Sequence, residues 1–211
     1  MGALPSTDLK GYELLKDRVQ GMLDLLQEGR AIDFKRAALW DQLKQGIPKD
    51  ILAMSNLRGG GIIVVGIEES DKVWNCTGMT DKQLNTYNPD DIIDYVNRYA
   101  SPPVTFDVVK HTDTEGLTYL VIQAHEFEEI PVVCKKNSNE LREGAFYIRP
   151  LGKPESREVQ TADEMHDLLD LAVEKKTRNL LRQIERVGFD LEKIQLKKTD
   201  ADNFDKELEG L

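Results

Sequence analysis

Hydrophobic residues recur with helical spacing at both ends of the chain. Over residues 8–27 the leucines, the valine and the methionine form one apolar stripe, which predicts an N-terminal helix that stops near Gly29. A second helical pattern covers residues 162–187. It is preceded by Thr161 and contains Glu164, the spacing of a capping box, so we predict a long C-terminal helix there.

A short apolar run lies between these helices. Residues Ile62–Ile67 are rich in valine and isoleucine and follow a turn of three glycines, which predicts a central strand buried on both faces. The glycines lack the lysine ending of a phosphate-binding loop, so a helix-to-strand turn is the simpler interpretation. Glu68 and Glu69 close the run, at the kind of strand end where α/β folds place chemistry.

The stretch 31–36 alternates in polarity. As a strand it places Ile32 and Phe34 on one face and Asp33 and Lys35 on the other. An acid and a base would then share one face of the sheet. The alternative is a solvated edge strand with ordinary surface charges, which is the more common meaning of such a pattern.

The remaining segments complete a mixed α/β (α+β) domain with a central β-sheet and flanking helices. We predict a single domain over residues 1–188, with a core at 28–160 and a charged tail at 189–211. Its other elements are helices at 48–57 and 89–99, strands at 104–109 and 117–124 joined by a hairpin turn, a second strand pair at 131–135 and 145–149, and a polar loop at 70–80 that carries Trp74.

Charge and cysteine content narrow the functional classes. The 211 residues carry a net charge of -10, which argues against non-specific nucleic-acid binding but leaves room for a local basic groove. Cys76 and Cys134 form no recognisable framework, so we expect a reducing, cytoplasmic location. No apolar run is long enough to span a membrane. The loop Arg149–Arg157 is basic and is a candidate phosphate-facing element, with an ordinary surface loop as the alternative.

Four motifs in a fixed order now resemble a known family. They are Glu28-x4-Asp-Phe-Lys35, then Ile51-Leu-Ala-Met-Ser-Asn-x-Arg-Gly-Gly60, then Ile63-Val-Val-Gly-Ile-Glu-Glu69, then Gly144-Ala-Phe-Tyr-Ile-Arg149. Together they are similar to the Schlafen-type AlbA-like domain. The resemblance implies an α/β fold associated with nucleic-acid or ATP binding in bacteria. In the animal relatives it implies a metal-dependent endoribonuclease that cuts structured RNA such as tRNA.

The resemblance also implies a set of catalytic residues. Three carboxylates would be Glu28, Asp33 and Glu69, with Glu68 as the alternative to Glu69, and they would bind Mg²⁺ or Mn²⁺. Lys35 would balance charge on the phosphate. Asp33 is one methylene shorter than the family's usual glutamate, and Glu69 is one methylene longer than its usual aspartate.

Three functions follow as hypotheses. The first is a Schlafen-like endoribonuclease, with a role in phage defence by analogy to the family. The second is a non-catalytic nucleic-acid-binding module for RNA or DNA. The third is a nucleotide-binding or scaffold domain, whose C-terminal helix and tail bind a partner protein or a second copy. The first two need a positive patch, for which we predict Arg36, Arg58, Arg149, Lys153 and Arg157.

Overall fold

The computed structural model describes residues 6–186, with side chains from residue 13 onward except that of Glu185. The predicted tail at 189–211 lies outside the described residues. The helices are α1 Ser6–Leu25, α2 Trp40–Leu43, α3 Ile47–Ser55, α4 Asp81–Leu84, α5 Pro89–Asn97 and α6 Ala162–Arg186. The strands are β1 Ile32–Lys35, β2 Gly61–Val65, β3 Ile67–Ser70, β4 Val73–Cys76, β5 Ala100–Ser101, β6 Phe106–Thr112, β7 Thr118–Ala124, β8 Val133–Cys134, β9 Tyr147–Ile148 and β10 Arg157–Glu158.

The predicted fold class is confirmed. A four-stranded sheet in the order β1-β2-β7-β6 forms the centre; β1 and β2 are parallel, and the other neighbours are antiparallel. Helices cover both faces of this sheet, and α6 is the long C-terminal helix that the sequence predicts. None of the helices in residues 6–186 is both long and apolar enough to cross a lipid bilayer.

The two faces of the sheet have separate cores. On one face, Phe34, Ile62 and Val64 pack with the apolar stripe of α1. On the other, Ile63 and Val65 pack with α3, α5 and the first half of α6. The alternation predicted for β1 is therefore confirmed, because Phe34 belongs to the α1 side while the Asp33 side chain points away from it.

The central strand is shorter than predicted. It ends at Val65, because Gly66 adopts a φ of 118°, a conformation that side-chain-bearing residues rarely take. The chain then forms a hairpin of β3 and β4, so the predicted polar loop around Trp74 is wrong. Trp74 packs edge-on against Phe34 with ring centroids 5.3 Å apart, which fixes the second strand of the hairpin.

The second predicted strand pair is confirmed in part. The segments are joined by an antiparallel bridge between Val133 and Phe146 and by hydrogen bonds from the Cys134 N–H to the Ala145 carbonyl (2.9 Å) and from the Gly144 N–H to the Cys134 carbonyl (2.8 Å). Otherwise β8 pairs with β5 and β9 pairs with β10. Asn56 limits the pairing of the two segments. Its amide donates to the carbonyls of Val132 (2.8 Å) and Tyr147 (3.0 Å) and accepts from the Val132 N–H (2.7 Å), so a buried side chain binds backbone groups that a ladder would otherwise pair.

The predicted helix starts are confirmed. Asn88 caps α5 by accepting a hydrogen bond from the Asp90 N–H at 3.0 Å. Thr161 and Glu164 form the reciprocal bonds of a capping box at the start of α6. Local side-chain chemistry therefore sets both helix boundaries.

Candidate functional site: a buried ion cluster beneath a cationic groove

Four charged side chains meet beneath the surface, and we call them the buried ion cluster: Asp33, Lys35, Asp50 and Arg149. Lys35 Nζ lies 2.6 Å from Asp33 Oδ2 and 2.9 Å from Asp50 Oδ2. Arg149 Nη1 lies 3.0 Å from Asp33 Oδ1. The parallel pairing of β1 with the central strand and the first turn of α3 bring these groups to one point.

Arg149 is the most buried member of the cluster, with an exposed fraction of 0%. Its Nη2 atom donates to the carbonyls of Gly29 (3.2 Å) and Ile32 (3.1 Å), and its Nη1 atom also reaches Ser156 Oγ at 3.4 Å. The guanidinium therefore ties the segment after β9 to both ends of the turn that leads into β1. It is held by Asp33 and is not presented to solvent.

Glu28 lies close to this cluster. Its Oε1 atom accepts a hydrogen bond from the Phe34 N–H at 2.8 Å. Burial raises the pKa of Glu28, and the nearby Asp33 raises it further, against the lowering effect of the Phe34 hydrogen bond. Burial and the proximity of Asp50 also raise the pKa of Asp33, although Lys35 and Arg149 oppose that rise. The structure thus brings Glu28, Asp33 and Lys35 together.

Glu69 is placed elsewhere. In the hairpin it lies directly opposite Trp74, whose ring packs in the core on the α1 side, and it shares its strand face with Ile67 of the same core. Glu69 is exposed, and it lies on the hairpin face of Ile67 and Trp74, which pack on the α1 side of the sheet. Glu68, the alternative third acid, points to the other face of the hairpin and is also exposed.

A metal centre of three carboxylates is not preformed. Among residues 6–186, no group of three or more aspartate, glutamate, histidine or cysteine side chains is arranged to hold a metal ion. Asp33 already binds Lys35 through one oxygen and Arg149 through the other. A divalent ion would have to displace these cations, so the residues as arranged do not fit Mg²⁺ or Mn²⁺.

A groove of about 810 Å³ lies next to the Arg149 segment, where Ile148 and Pro150 line it, and we call it the cationic groove after its four cations. Its walls are the loop after β9 and the first half of α6. Three of the residues predicted to contact nucleic acid line it, together with a fourth cation that sequence reasoning did not select: Arg58, Lys153, Arg157 and Arg30. Arg36 is exposed but is not among the residues that line the groove.

The wall contributed by α6 is acidic. Glu174 accepts two hydrogen bonds from Arg58, at 3.0 and 2.5 Å. Glu164 accepts hydrogen bonds from both terminal nitrogens of Arg157. Lys153 lies 3.9 Å from Glu155. Six carboxylates line the groove in all, so they outnumber its four cations.

The pair formed by Arg157 and Glu164 gives a pH prediction. The Arg157 guanidinium holds the pKa of Glu164 at about 2, well below its ordinary 4.5, so the folded state binds fewer protons there than the unfolded state. The resulting stability is present above about pH 4.5 and is lost as the pH falls towards about 2. We expect Glu164→Gln to lower the free energy of unfolding at neutral pH, with a difference from wild type that shrinks on acidification, measured by urea denaturation.

Glu155→Gln is the matched control, because Glu155 is exposed and makes one long contact in the same loop. It should change the free energy of unfolding little at any pH. A Glu164→Gln deficit that stayed constant from neutral pH down to about pH 2.5 would show that the carboxylate charge is not the stabilising element.

Two site residues were missed by sequence reasoning. Asp50 lies in the first turn of α3, where the helix dipole already favours an acidic residue. Its position therefore gave no indication that it pairs with Lys35. Arg30 follows Gly29 in a turn, and its Nε atom donates to the Arg149 carbonyl at 2.5 Å. Both depend on contacts between segments that are distant in the chain.

Comparison with known proteins places this site in a family. The sequence profile of the family described as Schlafen, AlbA_2 matches residues 28–156, which contain Glu28, the buried ion cluster and most of the loop of the groove. No curated protein matches the chain.

Two solved structures are similar to the chain. One is the DIP2311 protein from Corynebacterium diphtheriae, with 19% identity and a TM-score of 0.44 over 65% of this chain and 23% of that one. The other is the N-terminal domain of an ATP-dependent DNA helicase RecG-related protein from Nitrosomonas europaea, with 20% identity and a TM-score of 0.43 over 69% of this chain and 94% of that one. This chain thus spans less than a quarter of the DIP2311 protein. At these values neither similarity bears on function.

Proposed function

This chain belongs to the Schlafen AlbA_2 family, and on that premise we propose that it binds nucleic acid in the cationic groove, with RNA as the first ligand to test. One observation carries the proposal. In a protein with a net charge of -10, four cations from three separate segments line one groove: Arg30, Arg58, Lys153 and Arg157. Each of these cations can donate to a phosphate, although six carboxylates line the same groove and its net charge is not positive.

The ion pair between Arg58 and Glu174 does not prevent this. Arg58 is 64% exposed and Glu174 is 38% exposed, so their interaction is screened by solvent. Such an exposed pair is weak, and a charge-assisted contact to a phosphate can replace it. Arg149 has a different role in the proposal, because it anchors the loop that carries Lys153 and Arg157 instead of contacting the ligand.

The metal-dependent endoribonuclease is the second candidate function. Its support is the proximity of Glu28 and Asp33 to each other and to Lys35. Against it stands the donor set, since both Asp33 oxygens bind cations. Mg²⁺ or Mn²⁺, the tRNA-like substrate and the defence role stay predictions from the family resemblance.

The proposal predicts a specific loss of RNA affinity. We expect wild type to bind a tRNA pool at low salt, with an affinity that falls steeply as salt is added. Arg58→Gln should weaken binding several-fold and reduce the slope of log K against log salt by about 1, because one phosphate contact is lost. Fluorescence anisotropy over a salt series measures both quantities.

Arg142→Gln is the matched control. Arg142 is 66% exposed and binds Glu158 through two nitrogens, as Arg58 binds Glu174, but it does not line the groove. Equal losses in the two variants, or no binding at low salt, would overturn the proposal.

The same protein samples are incubated with the tRNA pool and Mg²⁺, Mn²⁺ or chelator, and the RNA is run on a gel to detect cleavage. Metal-dependent cleavage that Glu28→Gln and Asp33→Asn abolish would move the endoribonuclease to first place.

A further inference from the structure

The second half of α6 extends beyond the body of the domain. Leu168, Leu171 and Ala172 are buried in the core, and Lys175 still reaches Glu126 at 3.2 Å. From Lys176 to Arg186, no described side chain is buried. The apolar positions in this part of α6 are therefore little covered by the described domain.

An apolar stripe follows α6 on the side away from the core. Leu169 is 49% exposed, Val173 is 63% exposed and Leu180 is 56% exposed. Ile184 continues the stripe and is half-buried. At 100° per residue these four positions fall within about 60° of one another, and the buried Leu168 and Leu171 lie about 100° or more away from all of them. We call the four residues the α6 stripe.

The charges of α6 are divided between its two halves. Residues 162–174 contain five acids and no lysine or arginine, whereas residues 175–186 contain five bases and one acid. A parallel pair of such helices would place acid beside acid and base beside base. An antiparallel pair places the acidic half of one helix beside the basic half of the other, so the charge pattern selects that orientation.

We propose that the α6 stripe is the interface of a homodimer in which two copies of α6 pack antiparallel. The stripe is symmetric about a point between Lys176 and Thr177. With the two-fold axis there, Val173 lies opposite Leu180 of the second copy, and Leu169 lies opposite its Ile184. One self-complementary patch therefore serves both copies, as a two-fold interface requires.

The interface is independent of the proposed nucleic-acid binding. The cationic groove uses Asp167, Asp170 and Glu174, which lie on another side of α6, so either function can fail without the other. Two helices of this length bury less than the roughly 1,200–2,000 Å² of stable complexes, so we expect a reversible dimer.

The first test is the mass of the full chain by sedimentation equilibrium, from about 5 to 500 µM, the range of weak interfaces. We expect the average mass to rise from monomer towards dimer. The double variant Val173→Glu/Leu180→Glu should stay monomeric. Val73→Glu is the control, because Val73 is an apolar residue of β4 that is 59% exposed and lies far from α6 in the chain. It should dimerise like wild type.

The second test fixes the register by disulfide crosslinking in a Cys76→Ser background. Val173→Cys alone and Leu180→Cys alone should not crosslink. In the antiparallel pair, each cysteine would lie about 10 Å along the helix axis from the same residue in the second copy. A mixture of the two variants should crosslink. A monomer at every concentration, a dimer that Val173→Glu/Leu180→Glu leaves intact, or crosslinking of Val173→Cys with itself would each overturn the proposal.

Discussion

Replacing Arg149 with methionine should lower the free energy of unfolding by about 3–5 kcal/mol, the cost of removing one partner of a buried ion pair. Asp33 is 6% exposed, so the loss of the guanidinium leaves its Oδ1 atom without a cation in a poorly solvated place. The carbonyls of Gly29 and Ile32 each lose one of their two donors as well. Urea denaturation followed by circular dichroism measures the change.

A double-mutant cycle separates this pair from the rest of the cluster. Asp33→Asn combined with Arg149→Met should cost less than the sum of the single changes, because the second change removes a group that the first has already left unpaired. Arg142→Met, at an exposed arginine that donates to Glu158 through two nitrogens, should cost far less than Arg149→Met. Strict additivity, or an equal cost at Arg142, would show that Arg149 is not a buried anchor.

Replacing Gly60 with alanine should be as damaging, at more than about 3 kcal/mol of stability. Gly60 adopts a φ of +71°, and a Cβ there would lie 2.1 Å from the carbonyl oxygen of Ala124 on β7. That oxygen belongs to the backbone of the central sheet and cannot rotate away. The turn between α3 and β2, which carries Arg58 into the groove, would have to separate from the sheet.

Gly59→Ala is a close control for this substitution. Gly59 has a similar φ of +78°, but a Cβ there would meet nothing within 4 Å. It should therefore show only the backbone strain of a left-handed residue, about 1–2 kcal/mol. The comparison of the two melting curves isolates the steric contact. Equal losses at the two positions would mean that the approach to Ala124 does not constrain this turn.

Local patterns were enough to predict much of this fold. The alternation in β1, the cap at Asn88 and the capping box at Thr161 each depend on neighbours in the chain, and the structure contains all three. Short strand pairs were harder to predict. The segments around Val133 and Tyr147 were predicted to pair along their length, but they pair over only a few residues. Asn56, which is about 80 residues away in sequence, binds the backbone groups beyond that short stretch.

In the candidate site, too, only the features set by neighbours in the chain could be predicted. Asp33 and Lys35 share a face, as their parity predicts, but nothing near Arg149 in the sequence shows that it is buried against Asp33. An arginine in a basic loop is usually exposed, so the pattern pointed to phosphate binding. Glu69 followed the family motif, whereas its direction was set by Gly66 and by the packing of Trp74, neither of which the motif describes.

We propose above that nucleic acid lies in the cationic groove. The most direct measurement is photo-crosslinking to tRNA that contains 4-thiouridine, with the attached peptides identified by mass spectrometry. If nucleic acid lies in the groove, crosslinks are expected in the segment around Arg58, in residues 150–160 and in the first half of α6. Arg58→Gln should reduce these crosslinks, and Arg142→Gln should not. Crosslinks concentrated on the β3–β4 hairpin around Glu68 and Glu69, with none in the groove, would contradict the proposal.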